Sequence, residues 1–368
     1  MQYFSTFHRL GSIPSVLLLV LVSWSFGSAN NLPATSLTGT TWYVSTTGND
    51  SNPGTSGSPF ATIQAAVAAA SSGDAIVVDA GTYNGPITVN KKLDINGDGI
   101  GSTIVQATGG TAFTYTAAGS GSGSSDRAKL RNLTISGSGK GVRADQLVDY
   151  FTISDVEFNG CTTYGIHINN TSGSMNDWAI TNCTFDGNGT GIYGSTASGI
   201  NGISITGCTF QNQASSGIYV GQSSATPGSW NNVTVSTCVF SDNGVSGGSG
   251  NGAIYAEKLS NATISSNVMT NNGNASNPRG ISINLKYGSY SNIVISSNTI
   301  TETRSIQING YGIIVQARNE SPDYNAQPAS LTGLDISNNA VTKFAGGIVI
   351  HNAVEWISTT INNNAVSN

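Results

Sequence analysis

Charge is scarce in this 368-residue sequence: Asp, Glu, Lys and Arg together make up 9% of it. The net charge of −5 is spread thinly over 14 basic and 19 acidic residues, and no basic patch stands out. Electrostatic capture of nucleic acid is therefore excluded as a working function. Long apolar runs are also scarce. The one that stands out, VLLLVLV at 17–23, follows His8 and Arg9 and is followed by Gly27, Ser28 and Ala29. It is too short to cross a bilayer comfortably, and small residues stand where a peptidase would cut. Residues 1–29 read as a secretory signal, with an uncleaved anchor as the alternative; cleavage leaves no stable membrane insertion. No cysteine follows the run, so a bacterial-type lipid anchor is not indicated. Only four cysteines occur in the whole chain, and they do not form a disulfide framework.

What is abundant is glycine, 46 residues, with Asn, Ser and Thr filling turns. The stretch from Gly191 to Phe210, GIYGSTASGINGISITGCTF, sets the pattern: a short strand, a loop, a second strand, a corner and a third short strand. The first strand recurs as GVRA, GIHI, GIYV, AIYA, GISI, GIIV and GIVI, starting at 141, 165, 217, 253, 280, 312 and 347. The period is about 25 to 40 residues, too little to bury an apolar face alone, so the units must stack. Alternation then points Ile192, Ile203, Ile205, Cys208 and Phe210 inward. Two core columns follow: Ile153, Ile180, Ile205, Val235, Ile264, Ile295, Ile336, Ile361, and Phe158, Phe185, Phe210, Phe240, Met269, Ile300, Val341, Val366. A corner column runs Val156, Cys183, Cys208, Cys238 and then Asn267, Asn298, Asn339, Asn364. Its cysteines read as small buried apolar groups, and its asparagines as a hydrogen-bonded stack. Cys161 falls in a loop. No metal ligands converge from more than one column.

From about Trp42 to the end, this pattern resembles the right-handed parallel β-helix of the pectate-lyase-like superfamily. The expected fold is all-β: a right-handed single-stranded parallel β-helix with three short strands per coil and an N-terminal capping helix. The resemblance is specific for fold and not for activity, since such solenoids serve as lyases, hydrolases, epimerases, tailspikes and adhesins. The opening WYVSTTGNDSNPGTSGSPFATIQAAVAAASSGDAIVVDAGTY is similar to one common at the start of secreted bacterial β-helix proteins. Within it, Pro59 to Ser71 reads as a helix with Ser58 as N-cap and a stripe of Ile63, Ala66, Val67 and Ala70, a lid on the core. DINGDG at 94–99 begins like a calcium loop, but Val105 stands where the twelfth-position Glu is required, so a turn between two strands is expected instead. Sequons such as those at Asn232 and Asn261 follow from the repeat's own Asn and Thr preference. Residues Gly110 to Ser125 read as a surface loop or loose coil. The expected division is 1–29 signal peptide, 30–129 cap and first coils, and 130–368 regular coils. Because the sequence stops just after a third strand, a C-terminal domain or partner is expected to cover the last coil.

The residues after the inward isoleucines point outward. One outward column reads Arg143, His167, Tyr193, Tyr219, Tyr255, Ser282, Ile314, Val349; the next reads Asp145, Asn169, Ser195, Gly221, Glu257, Asn284, Gln316, His351. Strands lie about 4.8 Å apart, so three consecutive tyrosines make a flat strip on which pyranose rings can stack. A ladder that merely supports neighbouring strands is the other reading. Beside it lies the densest charge in the chain: Glu257, Lys258, Arg279, Lys286, Arg304, Arg318, Glu320 and Asp323. The resemblance implies a lyase chemistry here, in which a Lys or Arg removes the proton α to a uronate carboxylate while calcium or another cation neutralises that carboxylate. On that basis Lys258 or Arg279 is the base, with Glu257 and Asn284 as cation ligands. The substrate-binding set is Arg143, His167, Tyr193, Tyr219, Tyr255, Asn284 and Lys286. The bland alternative is a solvated edge with surface ion pairs.

The acidic clusters that hold calcium in pectate lyases are missing, and YGIHIN at 164–169 lacks the Asp of the similar epimerase motif. Asp145 and Glu257 stand four coils apart, about 19 Å at strand spacing, whereas paired glycosidase carboxylates are roughly 5 to 9.5 Å apart. The sequence thus reads as a secreted β-helix whose tyrosine-lined face binds an extracellular, uronate-containing polysaccharide. If it is an enzyme, a lyase is favoured over a hydrolase. The rival is a non-catalytic surface or adhesive solenoid.

Overall fold

The computed structural model describes residues 39–368 apart from 118, 120, 122, 124, 172, 223–229, 246–250, 305–309, 353–357 and 368. The expected leader at 1–29 lies outside the described residues. Coils stack as expected, ten first strands and one short hairpin strand forming an 11-stranded sheet and second and third strands a 21-stranded one. Pairing is parallel throughout both sheets, save for a small antiparallel hairpin of Gly273–Asn274 against Asn277–Pro278.

Register follows the sequence columns residue by residue. Ile180 pairs with Ile205, Ile205 with Val235, and Phe185 with Phe210. Phe158, Phe185, Phe210 and Phe240 stack with centroids 4.6–4.8 Å apart and planes within 4°, the strand repeat expressed in rings. This stack explains the glycine that opens the first strand of the four Phe coils. A Cβ on Gly191 would stand 2.7 Å from the Phe210 ring and 2.5 Å from the Gly217 carbonyl, and one on Gly165 would stand 2.8 Å from Phe185. The four Phe coils thus close only because each ring meets a backbone with no side chain, whereas the coil of Met269 opens its first strand with Ala253.

Corners are made by residues in the left-handed conformation, and the sequence supplies Gly, Asn and polar residues there. One such column is Asn182, Gly207, Thr237, Ser266, Ser297, Asn338 and Asn363. Just inside it runs the asparagine stack. The backbone N–H and Nδ2 of Asn267 both donate to Asn298 Oδ1, at 3.1 and 2.9 Å, and Asn298 does the same to Asn339. Each Nδ2 also donates to a carbonyl of the preceding coil, Val235 for Asn267 and Ile264 for Asn298. The cysteines in this column do a weaker version of that job. Cys208 Sγ donates to Ile180 O and Cys238 Sγ to Ile205 O, and the Cys208 N–H donates to Cys238 Sγ. They are therefore polar participants as well as small apolar groups. A second inward ladder, absent from the sequence reading, runs through Cys161, Asn188, Gln213, Asn243 and Asn272. Cys161 lies between strands, as expected, and is fully buried within this ladder.

The capping helix is α1, Ile63–Ala69. It starts later than expected: Thr62, not Ser58, is the N-cap, its hydroxyl accepting from Ala65 N–H. Phe60 is held extended by backbone pairing with Tyr43, and Ser58 closes a turn with Thr55, so neither can enter the helix. The stripe of Ile63, Ala66, Val67 and Ala70 is buried as expected. Lys91 Nζ closes the other end, donating to the carbonyls of Val67, Ala68 and Ala70, which would otherwise lack partners. DINGDG makes strand Asp94–Gly97 and the turn after it, with Asp94 buried against Arg131 and Lys129. Within 110–125, Thr111–Tyr115 is a strand of an early coil, not loose loop. In the final coil Ile361 and Val366 are 45% and 51% exposed, so both core columns surface there.

Candidate functional site

The outward column is continuous in register: Arg143 pairs with His167, His167 with Tyr193, Tyr193 with Tyr219, Tyr219 with Tyr255, and Tyr255 with Ser282. Tyr193, Tyr219 and Tyr255 face one way and are half-buried, with centroids 5.6 and 4.9 Å apart. Tyr164 extends the strip, stacked on Tyr193 at 4.3 Å and 10°. Burial raises the pKa of all four phenols, so they are neutral donors at physiological pH.

At the other end His167 is 8% exposed, between the rings of Tyr164 and Tyr193, and neither ring nitrogen has a hydrogen-bond partner among the described residues. Burial, reinforced by Lys140 and Arg143 and opposed by Asp145, lowers its pKa to about 4. His167 is thus a neutral spacer in the aromatic strip. Arg143 is tied to Asp145 at 2.5 Å, and Asn169 donates to the same carboxylate.

The strip runs into a groove of about 300 Å³ lined by Tyr255, Arg279, Ser282, Asn284, Lys286, Gln316 and Arg318. Its hub is Glu257, 4% exposed. One carboxylate oxygen accepts from the Tyr255 hydroxyl at 2.8 Å and from Lys286 Nζ at 2.5 Å, and the other accepts from the Gln222 N–H at 2.6 Å. Asn284 Nδ2 donates to the Tyr255 oxygen at 2.7 Å, while its Oδ1 accepts from Gln316 and Arg318. Arg318 also lies 4.4 Å from the Tyr324 ring centroid and pairs with Glu320. Arg279 stacks on Tyr311 at 4.2 Å, its Nε and Nη1 without partners among the described residues, and burial lowers its pKa.

Two expectations need correction. Lys258 and Arg279 do not converge on one place. Lys258 is fully buried, with Nζ donating to the carbonyls of Ser195, Thr196 and Ser198. Alternation carried past the strand Ile254–Ala256 turns its side chain into the coil, where it braces the 195–198 loop instead of lining the groove. Burial pulls its pKa down to about 7 against the pull of Glu257, but three carbonyls matching three N–H donors favour the ammonium form. Nor do the residues around Glu257 fit calcium. That ion takes six to eight oxygen ligands, whereas both Glu257 oxygens accept protein hydrogen bonds and one of the donors is a lysine. Among the described residues no three His, Cys, Asp or Glu side chains come together as metal ligands.

Arg143, His167, Tyr193, Tyr219, Tyr255, Asn284, Lys286 and Glu257 do lie on one continuous face. Sequence reasoning passed over Tyr164 and Tyr311. Both immediately precede a Gly-Ile pair, and that repeated YGI was the available signal.

Residues 164–368 match the family model described as right handed beta helix region, and residues 46–239 match protein of unknown function (DUF1565). No curated protein matches. Among solved structures, an alginate lyase from Paenibacillus sp. strain FPU-7 is 16% identical over 80% of this chain and 96% of its own, with a TM-score of 0.47. A rhamnogalacturonan lyase is 15% identical over 89% and 87% of the two chains, TM-score 0.42. A pectate lyase is 14% identical over 88% and 79%, TM-score 0.41. With its stacked columns and a family match over more than half of its length, the chain belongs to the right-handed β-helix family.

Proposed function

We propose that this protein is secreted and binds an anionic, uronate-containing polysaccharide along the tyrosine strip and into the adjoining groove. The observation that carries this reading is the placement of Arg279, an arginine with unsatisfied N–H donors, beside Lys286 and Arg318 at the end of a stacked aromatic ladder. A guanidinium that has lost water and gained, among the described residues, only a ring face lacks the carboxylate it is shaped to hold. Pyranose faces stacked on Tyr193, Tyr219 and Tyr255 would carry a chain toward that cationic end, with Asn284 and Gln316 reaching hydroxyls.

Cleavage by β-elimination is the second reading, and it draws on one observation, the lowering of the Arg279 pKa by burial. Arg279 would remove the proton α to the carboxylate, the electron pair would form the C4–C5 double bond, and the C4–O bond would break with the leaving oxygen protonated from water. Lys286 and Arg318 would hold the carboxylate. Lys258 has no part in this chemistry.

Retention on polygalacturonate or alginate gels, against neutral glucan and with EDTA present, tests the reading. Salt-sensitive retention on uronan that survives EDTA and is lost in Arg279→Ala and Lys286→Ala is expected. Equal retention on neutral glucan, or unchanged retention in both variants, would refute it. Absorbance of unsaturated product in the same samples decides whether binding leads to cleavage.

A further inference from the structure

A second surface, away from the tyrosine strip, carries a two-dimensional lattice of hydroxyl groups. On the second strand of successive coils, Ser204, Thr234 and Thr263 form one outward column, and Thr206, Ser236 and Ser265 the next, paired in strict register. One coil further on either side the pairs are Ala179 with Thr181 and Val294 with Ser296. Neither column therefore holds a charged or aromatic residue over five coils. Beneath it the core is fixed by buried Ile203, Ile205, Val233, Val235 and Ile264.

The grid repeats at about 4.8 Å along the solenoid and about 6.7 Å along the strand, twice the rise per residue. Elsewhere on this sheet register-paired hydroxyls bond across coils, Ser289 with Ser330 at 3.2 Å, but the hydroxyls of this grid do not bond one another. None of the six named hydroxyls donates to or accepts from another described residue. Each is thus left to water, and a water between neighbours is held at the lattice period. The backbone beneath cannot relax that period without breaking register.

We propose that this face adsorbs to ice, by ordering a layer of water that matches a crystalline water lattice. The surface fits an uncharged solid. A charged polymer finds no ion pair on it, and a single sugar chain finds no ring to stack on. Threonine methyls between the hydroxyls limit how far the bound water can rearrange. Charge returns one coil beyond Val294, at Asp335, which bounds the patch. The inference is independent of glycan binding in the groove, because no residue is shared.

The test measures thermal hysteresis and partitioning into a growing ice front, using the full chain. Faceted crystals, a hysteresis gap and enrichment in ice are expected for the wild type. The double variant Thr234→Lys/Ser236→Lys should lose all three while keeping its far-ultraviolet circular dichroism and its retention on uronan. Val239→Lys, on the third strand and 43% exposed, adds the same charge elsewhere and should keep them. A folded wild type that shows no hysteresis and is excluded from ice overturns the proposal, as does hysteresis undiminished in the double variant. Wild-type retention on crystalline cellulose or chitin, lost in the double variant and without ice adsorption, overturns it in favour of a solid glycan. Loss of uronan binding alone would sink the groove reading and leave this one standing.

Discussion

Replacing Asn298 by alanine is expected to cost about 2–6 kcal/mol, from two buried groups at roughly 1–3 kcal/mol each. The backbone N–H of Asn267 has Asn298 Oδ1 as its acceptor, and Ile264 O receives Asn298 Nδ2. Alanine removes both, and the fully buried corner admits no water to replace them. Cysteine should be much milder. Three coils of the same column already use it, with a thiol donating to the preceding coil's carbonyl and, at Cys238, accepting a backbone N–H. Asn298→Cys is thus expected to cost about half as much, because weak bonds replace strong ones instead of leaving none. Urea unfolding followed by the fluorescence of buried Trp178 and Trp230 reads the difference. Equal costs for alanine and cysteine, or a cost below about 1 kcal/mol for alanine, would mean that the ladder does not hold the corners together.

Acid should weaken the aromatic strip through His167. Its pKa of about 4 lies below the ordinary histidine value, so the neutral form favoured by the fold contributes fully above about pH 6.5, and stability falls as the pH drops from there toward 4. The loss is bounded at about 3 kcal/mol, and His167→Phe should flatten the dependence of the urea midpoint between pH 7 and pH 4. Glu257→Ala should weaken uronan retention, about tenfold, although it removes a negative charge from a site for anions. Tyr255 and Lys286 lose their common anchor, and positioning outweighs the charge; stronger binding by this variant would contradict the assigned hub. Lys258→Met should lower the urea midpoint by removing the lysine donor of the Thr196 and Ser198 carbonyls, yet leave an intact groove at Arg279 and Lys286. A fall in retention without a fall in stability would return Lys258 to the binding site.

Where the backbone alternates, the sequence placed side chains correctly: Tyr193, Tyr219 and Tyr255 share a face because one register fixes all three. Yet alternation carried one step past Ala256 already turns Lys258 inward, one residue after outward Glu257, and its charge led the sequence reading to place it on the outer face instead. The inner ladder of Asn188, Gln213, Asn243 and Asn272 was visible only as a polar residue three places after each Phe or Met of the core column. A left-handed residue between them, such as Gly187 or Asn212, breaks the two-residue count. The start of α1 was misplaced for a different reason. Ser58-Pro59 satisfies the local rule for a helix start, but pairing of Phe60 with Tyr43, distant in sequence, outranks it.

Both amide ladders point the same way. Every backbone N–H in the step from Asn267 to Asn298 to Asn339 to Asn364 donates toward the later coil, and Asn188, Gln213, Asn243 and Asn272 accept in the same sense, while each Nδ2 also reaches back to the preceding coil. The backbone N–H groups of the two ladders therefore have one direction, toward the last coil. Whatever packs end-on against Asn364 meets donors seeking acceptors, which favours carbonyl-rich backbone over a second row of N–H groups.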